Sequence, residues 1–378
     1  MEKLRPNSDI EILRAFAIIM VLVQHFPSLY FWSDHTFFAS INRLFSFWGG
    51  VDLFFCISGY VVSMSIMRSI DSNKEAGISN RGEIKAFYIK RLFRLMPTST
   101  FWVVIMLLMT ATYNISGAFG KMDLNIYQAL SVITYNYNVV SAIMSDAHLQ
   151  VTFGPYWSLS LEEQFYIVFP LFLLFTPREK RTAVIAIMLF VLFFIHRQGN
   201  LTFNFRIDAM LWGVLIATWT LSGKSSRYEP AFMSGRILSV SVTLALLLML
   251  MIRGDYLNNS RFLVGYLSLV SFIFVYISSF NKGYIFCPKS LKKIFLWIGA
   301  RSYAIYIIHM PVIYFVQEAT VRHYVSIGEG PSKSIALCVI MTLSAIALTA
   351  VLAELNFRLI EVPLRNYGRK LANRMLAN

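Results

Sequence analysis

Hydrophobic residues run along this chain in long blocks, separated by short polar or basic stretches. The blocks cover 11–31, 46–67, 99–116, 156–176, 182–197, 207–222, 237–252, 262–280, 295–316 and 334–355. A helix rising about 1.5 Å per residue needs roughly 20 apolar residues to cross the hydrocarbon core of a bilayer. The pattern therefore predicts about ten transmembrane helices, several of them short. An eleventh stretch, 125–144 (NIYQALSVITYNYNVVSAIM), is ambiguous by hydropathy alone.

Loop charge decides its status. With 125–144 outside the bilayer and the N-terminus cytoplasmic, 24 of the 34 Lys and Arg residues fall on the cytoplasmic side and 8 outside, while Arg14 and Arg301 lie within spans. If 125–144 spanned, the basic loop 177–181 (PREKR) and every later loop would invert, and the positive-inside bias would be lost. The segment is therefore expected to be re-entrant or superficial, with both termini cytoplasmic.

Composition narrows the class. Of 378 residues, 57% are hydrophobic and 14% charged, against about a quarter charged in soluble proteins. A disordered chain, a disulfide scaffold and a soluble enzyme on an anchor are excluded. An all-α integral membrane protein remains, expected as one membrane domain over 1–378 with no fused extracytoplasmic domain. The net charge of +14 sits in clusters between apolar blocks, so it marks topology and membrane-lipid contact, with no nucleic-acid partner expected. Cys56, Cys287 and Cys338 are too few and scattered for a disulfide framework or a zinc site, and no metal is expected.

Charges within a bilayer are costly, so each is a functional candidate. Here they are Arg14, His25, Asp52, Glu162, Glu163, Asp208, Arg301, His309 and Glu354. Eleven residues separate Arg14 from His25, which returns to nearly the same helix face about 16 Å further along. Counted from the span ends, Asp52, Glu162 and His309 reach a similar depth, about 9–10 Å below the outer surface, in the half of the membrane that holds His25. A histidine there can take a proton from a hydroxyl as general base. Ser58, Ser158 and Ser160 lack a nucleophile-elbow pattern, which argues against a covalent serine mechanism. Towards the cytoplasm, residues 84–94 (IKAFYIKRLFR) set Lys90, Arg91 and Arg94 on one face of an expected interfacial helix, with Phe87 and Leu92 buried and Pro97 marking the turn into the next span. Guanidinium groups there suit a phosphate-bearing ligand.

These residues carry a resemblance. IEILRAFAIIMVLVQHF with its Arg14 and His25, GGVDLFFCISGYVVS (49–63), FYIKRLFRLMP (87–97) and PYWSLSLEEQFYIVFP (155–170) resemble, in order, the blocks of the acyltransferase family 3 membrane acyltransferases. RIDAMLWG (206–213) and SYAIYIIHMPV (302–312) are weaker echoes. The resemblance spans about 8–365. It implies a ten-helix enzyme of the bacterial inner membrane that uses acetyl-CoA or another acyl-CoA from the cytoplasm to O-acylate a surface glycan, such as the O-antigen of lipopolysaccharide, or a lipid-linked oligosaccharide. Carried over, His25 is the base, Arg14 its motif partner and Glu162 a support of the pocket, with Arg14, Arg91 and Arg94 facing the donor. The acceptor is expected at Asp52, Trp157, Glu163, Arg206, Asp208 and His309. Trp32, Trp48, Tyr135, Tyr137, Tyr156 and Trp157 read either as sugar-stacking rings or as an interfacial belt. An antibiotic or other small acceptor, a longer acyl group and a homo-oligomer all stay open. A secondary transporter is the competing class, and the internal repeats it often carries are absent.

Overall fold

The computed structural model of the chain describes residues 7–30, 32, 37–197, 199–252 and 262–377. Lys3, Arg5, Arg253 and Arg261, which enter the charge count, lie outside them. The described residues hold helices and no strand. In order these are α1 (Ser8–His25), α2 (Phe37–Leu44), α3 (Gly49–Glu75), α4 (Arg81–Thr112), α5 (Met122–Ile133), α6 (Tyr137–Asp146), α7 (Tyr156–Phe175), α8 (Arg178–Phe193), α9 (Asn200–Phe203), α10 (Asp208–Leu221), α11 (Arg236–Leu250), α12 (Leu263–Ser279), α13 (Lys292–Ala300), α14 (Ser302–Ser326), α15 (Ile335–Asn356) and α16 (Val362–Ala377). A 3₁₀ turn extends α1 to Tyr30, and a π-turn joins α15 to α16.

Among the described residues, six helical stretches are long and apolar enough to cross a membrane: Ser8–Tyr30, Gly49–Glu75, Arg81–Thr112, Tyr156–Phe175, Ser302–Ser326 and Ile335–Leu376. The apolar helices α11 and α12 are shorter. α15 leaves Ile335, Val339, Ile340 and Leu343 exposed along its length, a face suited to lipid and not to water. The ambiguous stretch 125–144 falls on α5 and α6, of 12 and 10 residues. At about 1.5 Å per residue neither crosses a hydrocarbon core.

Two boundaries differ from expectation. Residues 81–112 form one continuous helix through Pro97, with no turn there. α16 runs alongside α4 across this region, with Tyr367 against Phe93 at 5.4 Å between ring centroids, and that packing supports the helix where proline removes one backbone bond. Phe87 is buried within the protein, and Leu92 is 44% exposed on its surface. The block 295–316 is broken at Arg301 into α13 and α14. Arg301 bonds Glu354 of α15 there, and Trp297 Nε1 donates to the same carboxylate at 2.8 Å.

The centre of the molecule is the crossing of α3 and α10, with α1 and α12 beside it. A Cβ on Gly59 would sit 2.1 Å from the Met210 carbonyl oxygen, and one on Gly213 2.2 Å from that of Cys56. Each helix therefore places its backbone where the other would carry a side chain, the close approach that small residues permit within membranes. α1 is held just as closely against α13, where Gly299 meets the Glu11 carbonyl. This contact fixes the helix that carries both Arg14 and His25.

Candidate active site

Two cavities open along α1, one at each end. The first is lined by Arg14 from α1, Arg91 and Arg94 from α4, Ser58 from α3, and Glu162 and Tyr166 from α7. Arg14 Nη1 donates to Glu11 Oε1 at 2.9 Å. The Arg91 guanidinium lies over the Tyr166 ring at 5.4 Å, and its Nη2 donates to Ser65 Oγ at 3.4 Å. Tyr166 donates its hydroxyl proton to Glu162 Oε2 at 3.0 Å and so accepts from Ser58. Three guanidinium groups thus face one lining carboxylate, a positive surface with planar donors suited to phosphate oxygens. Lys90, expected on the same face, is exposed and lines neither cavity.

The second cavity is lined by His25, Trp48, Trp157, Phe203, Asn204 and Ser141, among others. His25 ends α1, and its Nδ1 lies 2.8 Å from the Val21 carbonyl and 3.4 Å from His309 Nε2. His309 is wholly buried, with Nδ1 2.7 Å from the Tyr306 carbonyl. These contacts assign the neutral tautomers. A carbonyl only accepts, so His309 carries its proton on Nδ1 and leaves Nε2 bare. His25 Nδ1 then faces two acceptors, the Val21 carbonyl and that bare Nε2, and must hold a proton too. Nε2 of His25 is left with a free lone pair at a cavity lined by aromatic rings and amides.

The cavities meet at two residues, since Val51 and Tyr306 line both. Tyr306 is held by its hydroxyl, 2.6 Å from Ser158 Oγ and 3.1 Å from the Pro155 carbonyl. It was not among the expected site residues. Its place three residues before His309, in the block SYAIYIIHMPV, was the available signal.

The expected layer of His25, Asp52, Glu162 and His309 divides into three places. His25 and His309 pair, with ring centroids 5.0 Å apart. Glu162 faces the arginines in the other cavity. Asp52 Oδ1 accepts from Arg206 Nε at 3.1 Å, both residues 1% exposed, and the Arg206 guanidinium lies over the rings of Trp157 and Phe203 at 4.7 and 4.0 Å. Asp208 accepts from Arg197 Nη2 at 2.6 Å. These two ion pairs brace the start of α10 and line neither cavity, and Glu163 lines neither as well. Of the aromatics, Trp48 and Trp157 line the histidine cavity, Tyr137 and Tyr156 lie in the core, and Trp32 donates to the Ser332 carbonyl at 3.3 Å. Ser58 and Ser158 bond tyrosine hydroxyls, and neither touches a base.

The site thus sets a bare imidazole nitrogen in one cavity beside an arginine-lined one, among helices of membrane-crossing length. The family model of the acyltransferase 3 family, described as an acyltransferase domain, matches residues 7–354, and the chain belongs to that family. Among curated proteins it is similar to O-acetyltransferase OatA of Staphylococcus aureus strains NCTC 8325 / PS 47 and COL, each 28% identical over 385 residues, or 95% of this chain and 57% of the relative. The SAS0844 protein of strain MSSA476 is 26% identical over 406 residues, covering 98% of this chain and 59% of that one. The chain therefore spans somewhat over half the length of these relatives. No solved structure matches it.

Proposed function

We propose that the chain is a membrane O-acetyltransferase moving an acetyl group from acetyl-CoA to a hydroxyl of a surface or lipid-linked glycan. It would do so in the bacterial inner membrane, as a bundle of ten spans with both termini cytoplasmic. The observation that carries this reading is the bare His25 Nε2 in one cavity that shares Val51 and Tyr306 with a second cavity lined by Arg14, Arg91 and Arg94. The arginines suit a phosphate-rich donor head entering from the cytoplasm, with Glu162 limiting the excess positive charge. The rings of Trp48, Trp157 and Phe203 and the amide of Asn204 suit a sugar face with hydroxyls.

In this mechanism His25 Nε2 takes the proton of the acceptor hydroxyl. The hydroxyl oxygen bonds to the thioester carbonyl carbon as the carbon–sulfur bond breaks. His25 then returns the proton to the departing thiolate, so one base serves both halves of the transfer. The Val21 carbonyl and His309 Nε2 hold His25 in the right tautomer and stabilise it when charged, a role analogous to that of the carboxylate in a catalytic triad.

The test is mass spectrometry of surface glycans from cells making the protein, its His25→Ala variant, or neither. The reading predicts an added acetyl mass with the parent protein only. Glycans identical in all three samples would remove surface glycan as the acceptor.

A further inference from the structure

The donor and acceptor cavities adjoin. Of the side chains lining them, Val51 and Tyr306 line both, so these two stand where the arginine side meets the His25 side. Val51 sits on α3, which is locked to α10 by reciprocal glycine contacts and has no slack. Tyr306 is fastened at two ends. Its hydroxyl meets Ser158 and the Pro155 carbonyl on α7 and the loop before it, and its backbone carbonyl receives His309 Nδ1–H. Phe54 lies edge-on to the same ring at 6.1 Å. A tethered ring therefore stands beside Val51 at the place where the two cavities adjoin.

We infer that Tyr306 is the gauge of acyl size: tethered to Ser158 and Pro155, its ring admits a short acyl group to the reach of His25 and stops a longer one. The inference rests on the donor and acceptor assignment made above. It makes Tyr306 a specificity-determining and positioning residue, without a share in proton transfer.

Two measurements test it. The first compares acetyl-CoA with hexanoyl-CoA as donors for the full-length protein in lipid membranes. Tyr306→Ala raises the ratio of hexanoyl to acetyl transfer at least about tenfold, the scale on which apolar pockets discriminate by methylene groups. An unchanged ratio overturns the gauge, whereas a purely structural loss would lower both transfers and leave the ratio alone.

The second measurement needs no catalysis. Ser141, in the histidine cavity, is changed to Cys in a background with Cys56, Cys287 and Cys338 replaced by Ala. A charged methanethiosulfonate reagent is then added to either face of sealed vesicles. With Tyr306 present the new cysteine reacts from one face only, and with Tyr306→Ala it reacts from both. Tyr306→Phe, which keeps the ring and removes the hydroxyl tether, leaks to a smaller extent. Reaction from the first face reports that each variant has kept its cavity. Equal face dependence in all three proteins overturns the gauge. Failure of the parent protein to transfer from any donor would instead overturn the functional reading, and the labelling pattern would stand apart from that result.

Discussion

A histidine acts as a base only through a nitrogen that lacks a proton, and at His25 the neighbours select which one. Nδ1 faces the Val21 carbonyl and His309 Nε2, both acceptors, so the lone pair is left on Nε2. His309 is the positioning residue in this scheme. His309→Phe fills the same space without an acceptor, and kcat for transfer is expected to fall about tenfold with the donor KM unchanged, a modest share of what a general base contributes. An unaltered kcat would leave His309 as packing. At the other cavity, Arg94→Ala is expected to raise the acetyl-CoA KM about 10- to 100-fold, the scale of one charge-assisted bond. A pantetheine thioester without the nucleotide phosphates should bind both proteins equally, and steady-state kinetics with the two donors separates the cases. The pairing of Arg14 and His25 on one helix was legible from their spacing. The division of the shared layer was not. Rise per residue gives depth within the membrane, but which way a helix face points depends on neighbours far away in sequence, such as Arg206 for Asp52 and Arg197 for Asp208.

Among the elements, the α3–α10 crossing holds both cavities in register. Gly59→Leu would drive a side chain into the Met210 backbone, and such overpacking costs typically about 1–3 kcal/mol or more. The variant is expected to lose thermal stability in detergent, with loss of donor binding in step. A transition within a degree of the parent would contradict the close-approach account. A smaller fastening joins the turn after α10 to the segment after α12. Glu229 accepts from Lys282 Nζ at 2.6 Å and from the Tyr284 hydroxyl, and these bonds hold its carboxyl below the usual carboxylate range. A depressed folded-state value means the fastening is present above the unfolded pKa and lost as pH falls through the folded one. Limited proteolysis at 224–229 should therefore quicken in acid and not at neutral pH, and equal rates would dismiss the fastening. Most apolar blocks were legible as helices because a bilayer demands long apolar runs. The continuous helix through Pro97 and the break at Arg301 were not, since both depend on partners distant in sequence, α16 and Glu354.

At the scale of the whole molecule, α1 is the axis of the account. It carries Arg14 at one end and His25 at the other, and its close contact with α13 at Gly299 fixes where each end lies. In the proposed mechanism the two cavities give donor and acceptor separate approaches that meet at Val51 and Tyr306. Acyl transfer in the proposed mechanism requires only that a short group pass Tyr306 to reach His25. The most direct measurement of this division is made on purified His25→Ala in lipid membranes, following acetyl-CoA binding by calorimetry and acetyl transfer with labelled donor. The account predicts donor affinity within about twofold of the parent and transfer reduced about 10²- to 10⁴-fold. Transfer retained at the parent rate would contradict it, and loss of donor binding with intact folding would show that His25 serves the donor site.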